Sequence, residues 1–404
     1  MNKNSFNSLI VTFIFLFLNI QLFCQTESDE RAIVNFKKGL GFYAADSSVS
    51  VNFKFYMQNL ASASTVSGEN LNISEVEARV KRLRLKFDGF VFKKQITYFM
   101  QLSFSRYDMD WDKTNIPNLI CDATIYYHFN EHLYMGFGQN KLPGNRQEVI
   151  SSGSQQFIDR SCVNSAFTLD RDFGLFAFYS NKINSINYNI KGAVSSGEGR
   201  TGEFSDNGLD YTGRIELLPL GAFTKNGDYF EGDLCREKTP KISLAGGYSY
   251  NNKATKSLGQ RGTELFQKRN LENYLFDFLF KYSGWALSSE YISRYTFNPF
   301  TINADNDTVY AYTGFGVNTQ LSYMFKNNFE LAFRYAFVKP DIKIKNLTPD
   351  NNAYTLGVTK YVKDHLLKIQ SNLSYNLLNY HMPNSPVINK KDKWLLQFQI
   401  ELGI

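Results

Sequence analysis

The sequence predicts an all-β protein, a 16-stranded antiparallel transmembrane β-barrel with an in-folded third outer loop, and three observations lead there. The first is the last eleven residues. Trp394, Leu396, Phe398, Ile400, Leu402 and Ile404 alternate with Leu395, Gln397, Gln399, Glu401 and Gly403. A period of two puts the apolar set on one strand face and the mostly polar set on the other. A final strand that is greasy outside and polar inside is the mark of a barrel in an outer membrane. The competing reading is a soluble edge strand, although termini in water usually fray. Ile404 stands where such barrels commonly carry an aromatic residue.

The second observation is composition. The chain holds 25 Tyr and 36 Phe in 404 residues, yet its mean hydropathy is -0.32. Beyond the N-terminus, no window offers the roughly 20 consecutive apolar residues of a spanning helix. A membrane protein can look hydrophilic when apolar and polar residues alternate, because in lipid every backbone group must be paired within a closed sheet. Abundant aromatics suit interfacial girdles, and only 9 prolines interrupt the pattern.

The third is the parity of the connections. Period-two segments lie near 49–60, 75–90, 95–107, 119–129, 132–142, 172–181, 185–196, 208–220, 240–250, 270–282, 285–296, 311–325, 329–339, 353–362, 366–377 and 393–404. Short links such as Phe129-Asn130-Glu131, Asn181-Lys182-Ile183-Asn184, Ser283-Gly284, Lys326-Asn327-Asn328 and Lys363-Asp364-His365 alternate with long ones at 61–74, 143–171, 251–269, 297–310, 340–352 and 378–392. Outer-membrane barrels have short periplasmic turns and longer outer loops. The segment 221–239 breaks the rule: it falls on the periplasmic side, yet it is long. It either folds under the barrel or packs at a subunit interface.

The N-terminus supplies an address. Lys3 precedes an apolar run from Leu9 to Leu18, the pattern of a signal peptide over 1–24 with processing at Cys24. A lipidated Cys24 is the competing reading, opposed by the bulk of Phe23. Residues 25–48 are expected to be a polar periplasmic lead-in, and 49–404 the outer-membrane barrel of a Gram-negative bacterium, in contact with lipid. Cys121, Cys162 and Cys235 are an odd number that cannot all pair within one chain, and their spacing matches no metal framework. No cofactor is expected.

Sixteen strands make a barrel too wide for side chains to fill, so a water-filled lumen follows. On the second strand Leu83, Leu85 and Phe87 face out, which turns Arg82, Arg84 and Lys86 inward with Asp88 below. The same parity turns Lys54, Lys191, Arg214, Arg294 and Arg334 inward, along with Asp122, Glu216, Asp277, Glu290 and Glu330. Rows of Arg and Lys are the ordinary device of anion pores, and the guanidinium fork suits phosphate. The alternative is that these cations pair across strands with the acids. The formal charge of +6 permits anion preference without requiring it. The loop 143–171 carries Arg146, Glu148, Asp159, Arg160, Asp170 and Arg171. Its Ser and Gly content argues against regular structure. Its length calls for a functional or packing reason, met by folding into the lumen as a constriction.

Several segments, taken in order, resemble the phosphate-selective porin O and P family in its Bacteroidetes form. They are Glu77-Ala78-Arg79-Val80-Lys81-Arg82-Leu83-Arg84-Leu85, Gly138-Gln139-Asn140-Lys141-Leu142-Pro143, Gln156-Phe157-Ile158-Asp159-Arg160-Ser161-Cys162-Val163-Asn164, Arg171-Asp172-Phe173-Gly174, Gly227-Asp228-Tyr229-Phe230-Glu231-Gly232-Asp233 and Arg236-Glu237-Lys238-Thr239-Pro240. The resemblance implies a homotrimer, passive diffusion of small inorganic anions such as phosphate, and an arginine ladder. The ladder carries onto Arg82 and Arg84, with Arg160 as a loop candidate. Asp122, Glu216 and Glu290 depart from it by offsetting the positive field, and the outer loops hold no dense lysine cluster.

Three other functions compete. A general, non-selective porin needs no ladder. A plugged structural or adhesive barrel needs outer loops large enough to bind a partner, and these are mostly short. An enzyme needs a Ser–His pair, yet His128, His132 and His365 sit in or beside periplasmic turns, away from any Gly-x-Ser-x-Gly elbow. Nucleic-acid binding is not supported, because the basic residues are dispersed along strands.

Overall fold

The alternation forms the sheet it predicts. The computed structural model describes residues 33–35, 40–44, 48–92, 94–106, 108–111, 117–200, 202, 207–382 and 388–404; the expected signal peptide lies outside them. The barrel strands are β1 Val49–Thr65, β2 Ile73–Val91, β3 Ile96–Ser103, β4 Ile120–His128, β5 Leu133–Lys141, β6 Arg171–Ile183, β7 Ile186–Ser195 and β8 Asp210–Leu218. They continue with β9 Lys241–Lys256, β10 Glu264–Tyr282, β11 Trp285–Tyr295, β12 Gly314–Met324, β13 Phe329–Pro340, β14 Asp350–Lys363, β15 Leu367–His381 and β16 Ile388–Gly403. Each pairs antiparallel with its chain neighbours, and β16 closes on β1 in the register Leu395↔Ser64 to Gly403↔Tyr56. On β16, Leu396 is 53% exposed while Gln399 and Glu401 are fully buried, so the terminal alternation is greasy outside and polar inside as read.

Turn chemistry sets the short ends. Ser283 (φ 51°) and Gly284 (φ 95°) both adopt the left-handed conformation that a two-residue hairpin requires. Asn184, Asn328 and Asp364 supply positive φ at three other turns on the same rim.

Three expectations need correction. The outer ends of β9, β10 and β16 run farther than the apolar alternation did, leaving a loop of only 257–263 where 251–269 was expected. Segments such as Gln267-Lys268-Arg269-Asn270 are polar on both faces. A strand standing in water above the lipid has no reason to alternate, so its pairing left no sequence trace. The lead-in is also partly sheet: Leu40–Tyr43 pairs with β1 from Phe53 to Ser50, beside the stretch of β1 that lies beyond the β16 register. Finally, the loop between β5 and β6 is 142–170, because Arg171 already opens β6 opposite Lys141. It contains the short helices α1 Arg146–Val149 and α2 Cys162–Phe167. Ser161 caps α2, its Oγ accepting from Asn164 N–H at 3.2 Å, so the serine that argued against regular structure starts a helix.

A bulge changes the parity of β2. Gln58 pairs with Arg82, but Asn59 pairs with Val80, leaving Lys81 as the extra residue. Val80 is exposed while Lys81 is 6% exposed, so Lys81 joins Arg82, Arg84 and Lys86 on the inner face.

Candidate pore and constriction

The inward side chains of β8 to β16 are buried. Arg214, Asp277, Glu290, Gln320, Glu330, Arg334, Thr359, Lys368 and Gln399 are each no more than 7% exposed. What covers them is the loop 142–170, together with the segment 219–240 between β8 and β9. Arg146 Nε lies 2.5 Å from Asp277 Oδ1, and its Nη2 donates to Ser243 Oγ at 2.8 Å. Gln147 N–H donates to Glu290 Oε1 at 2.7 Å. Gln156 Nε2 donates to Gln320 Oε1 at 3.0 Å, and Gln397 donates to Asp159 at 2.7 Å. Leu142, Val163, Phe167 and Leu169 bury themselves against Phe176, Leu275, Ile292 and Ala336.

The wall cations complete this attachment by donating to backbone carbonyls of the loop. Arg214 reaches Gly144 O at 3.0 Å, Arg294 reaches Ala166 O at 3.0 Å, and Arg334 reaches Asp159 O at 2.7 Å. Lys368 reaches Gln155 O and Lys81 reaches Ile158 O, both at 2.6 Å. A hydrogen bond from a charged donor contributes about 1.5–3 kcal/mol. Five such bonds, spread over β2, β8, β11, β13 and β15, hold the loop from several sides.

The segment 219–240 reaches the loop from the periplasmic side. Glu231 N–H donates to Ser154 O at 2.9 Å, while its carboxylate accepts from Gln156 N–H at 2.9 Å and from Gln147 and Gln320 side-chain amides at 3.3 Å. Lys281 Nζ donates to Gly227 O at 2.7 Å and Phe230 O at 2.9 Å, and also to Gly232 O. The Phe230 ring packs 4.8 Å from His365. Burial beside Lys368 and Lys281 lowers the His365 pKa to about 3, so this ring is neutral at physiological pH. Of the two options the sequence leaves for this segment, these contacts are with the chain's own barrel, as folding under it requires, and they extend to the inner wall.

The eleven basic residues read from the sequence therefore divide, Lys191 lying 2.8 Å from Glu216. Lys54 pairs with Asp88, and Arg84 pairs with Asp108. Arg82 Nη1 donates to Gln58 at 2.9 Å, with Nε 3.6 Å from Asp108. Arg214 lies 2.7 Å from both Glu216 and Asp277, and Arg171 lies 2.8 Å from Asp122. Arg160 lies 3.2 Å from Glu148, and Arg146, Arg294 and Arg334 are engaged as above. Among the described residues Arg294, Arg334 and Lys86 have no carboxylate within ion-pair distance: the two arginines donate to loop carbonyls, while Lys86 Nζ sits 5.6 Å over the Tyr56 ring. Pairing thus prevails over an open ladder, since a guanidinium buried without a partner would be costly. Sequence parity missed Lys81, which depends on the bulge, and Asp108, whose outer loop gave no signal. Among loop carboxylates, burial raises Asp159, but the Lys81 ammonium and the Gln397 amide outweigh it and hold the group well below the usual range.

The inner wall from β1 to β7 differs toward its periplasmic half. Asn52, Lys54, Lys86, Asp88, Phe90 and Phe99 face inward and are partly buried, as are His128, Tyr134 and Phe178, while the Lys191 side chain is only 11% exposed. The covering segments reach this side at Lys191, whose ammonium donates to Tyr229 OH, and leave the aromatic residues beside it uncovered.

The sequence profile of the phosphate-selective porin O and P family matches residues 53–401, nearly the whole chain. The chain belongs to this family. As a porin-family barrel it forms a channel in the outer membrane of a Gram-negative bacterium. Solved structures share the fold. The anion-selective porin from Comamonas acidovorans matches with TM-score 0.54 at 10% identity, covering 88% of this chain and 100% of that one. OprB of Pseudomonas putida gives 0.55 at 11%, covering 88% and 94%. The trimer form of OmpT from Vibrio cholerae gives 0.52 at 12%, covering 88% and 100%. No curated protein matches the chain. The family segments, far apart in sequence, meet at the inner wall: Lys81 bonds Ile158 and Asp159, while Gln156 bonds Glu231.

Proposed function

We propose that this porin is a passive diffusion channel for small inorganic anions, phosphate among them, and that it works as a homotrimer. The loop 142–170 is its constriction, and the solute passes along the uncovered β1–β7 wall. The observation that carries this reading is Lys86, an inward, partly buried lysine without a carboxylate partner among the described residues, beside Arg82 and Arg84 on β2. A surplus cation at a narrow place lowers the energy of a passing anion. In this reading Arg146, Arg160, Arg171, Arg214, Arg294 and Arg334 set the position of the constriction, while Lys54, Arg82, Arg84 and Lys86 form the field the solute meets. The shared fold with an anion-selective porin and with a trimeric one supports the selectivity and the assembly.

The test is the zero-current potential of the purified protein in a planar bilayer under a KCl gradient, repeated with phosphate. Anion selectivity together with phosphate block of the chloride current supports the proposal. Weak or cation selectivity leaves a general porin. A second reading, a plugged structural or adhesive barrel, is favoured by the meeting of loop and periplasmic segment at Ser154 and Glu231, and absence of conductance would select it.

A further inference from the structure

An inward barrel face is expected to be polar, but part of the uncovered wall is aromatic. His128, Tyr134, Phe178 and Lys191 form one cross-strand row, paired in register from β4 to β7. The His128 and Tyr134 rings stack at 5.1 Å and 25°, and Tyr134 and Phe178 at 4.7 Å and 14°. Phe176, one step up β6 and buried beneath the loop, lies parallel to Phe178 at 6.5 Å and 9°. Nearly parallel rings at this spacing are too close to lie side by side on the wall, so they stand face to face and turn their edges inward. Ring edges are the positive end of the aromatic quadrupole.

Tyr126 completes the surface. Its ring is tilted 73° to Tyr134 and 61° to Phe178. It also covers Gly136, where a Cβ would come 2.7 Å from two of its carbons. At the end of the row the Lys191 ammonium lies 2.8 Å from Glu216 and 4.8 Å over the Tyr229 ring. Higher on the same wall stands Lys86.

We propose that this row is a binding site for small organic anions that carry a ring, aromatic carboxylates being the simplest class. The flat body rests against the ring edges, and the carboxylate lies toward Lys191 and the cations of β2. Phosphate and acetate share the cations but gain nothing at the rings. This rests on the anion-channel reading for its biological sense, but binding can be measured without conduction.

The experiment is saturation-transfer NMR on the purified, folded barrel in detergent with benzoate, acetate, phosphate and benzyl alcohol. The variants are Phe178→Thr and Tyr134→Thr, their folding checked by heat-modifiable gel mobility, with Tyr134→Phe as the conservative control. An edge contact contributes about 0.5–1.5 kcal/mol, so benzoate should bind about two- to thirteenfold more tightly than acetate. That advantage should vanish in either Thr variant and persist in Tyr134→Phe. Equal binding of benzoate and acetate by the unaltered protein overturns the site without any variant. Unchanged preference in the Thr variants overturns the assignment to these rings, which would then only brace Phe176 and the loop. Benzyl alcohol binding as well as benzoate overturns the anion requirement. Preference for benzoate in a barrel that does not conduct keeps this site and removes the channel.

Discussion

Replacing Glu231 by alanine should release the constriction. Three donors converge on this carboxylate: Gln156 N–H at 2.9 Å, and the Gln147 and Gln320 side-chain amides at 3.3 Å. The shorter bond to a charged acceptor contributes about 2 kcal/mol and the longer two about 0.5 kcal/mol each. The loss of about 3 kcal/mol shifts the balance between seated and released loop by about a hundredfold. Glu231→Gln keeps the shape and one acceptor oxygen, so it should lie between the two. The assay is single-channel recording in planar bilayers at fixed voltage. Glu231→Ala should show larger current steps, more flicker, and a reversal potential closer to zero. Steps, flicker and potential identical to those of the unaltered protein would refute the reasoning, since a loop indifferent to its central acceptor is not held by it.

Lys86→Glu should reverse or abolish anion preference in the KCl-gradient potential, with heat-modifiable mobility unchanged, because the ammonium supports no ion pair among the described residues. Lys281→Met leaves Gly227, Phe230 and Gly232 carbonyls without their donor; it should cost about 3 kcal/mol and lower the temperature at which the folded gel band is lost. Gly136→Val places a side chain where the Tyr126 ring lies; such overpacking costs about 1–3 kcal/mol and should lower the same midpoint. The His365 pKa of about 3 lies below its free value of about 6.5, so the fold prefers the neutral ring. Its contribution is complete above about pH 6.5 and is lost as pH falls toward 3. The thermal midpoint should therefore drop less between pH 7 and pH 4 in His365→Phe than in the unaltered protein.

Much of the architecture was legible because a barrel in lipid must alternate. Leu331 and Phe333 against Arg334, and Phe276 against Asp277, are sorted by a two-residue period that any reader of the chain can follow. Where lipid ends the pattern ends, so the outer reaches of β9, β10 and β16 carry no alternation that marks them as strands. The family segments were equally legible as an ordered set, but nothing in their spacing shows that Gln156 and Glu231 touch.

The chain by itself determined most of which residues face lipid and which face the lumen, Lys81 at the β2 bulge excepted, and hence the strand count, the closure and the membrane. Periodicity is a local property and survives in one dimension. Only the tertiary structure decided what the inward cations do. Arg294 and Arg334 read from the sequence as pore lining, yet they hold backbone carbonyls of a loop more than 120 residues away. Whether a buried cation meets a passing anion or a fixed carbonyl depends on what else fills the lumen. That is settled by segments whose contacts are long-range and whose donors and acceptors are mostly backbone atoms, which every residue carries alike.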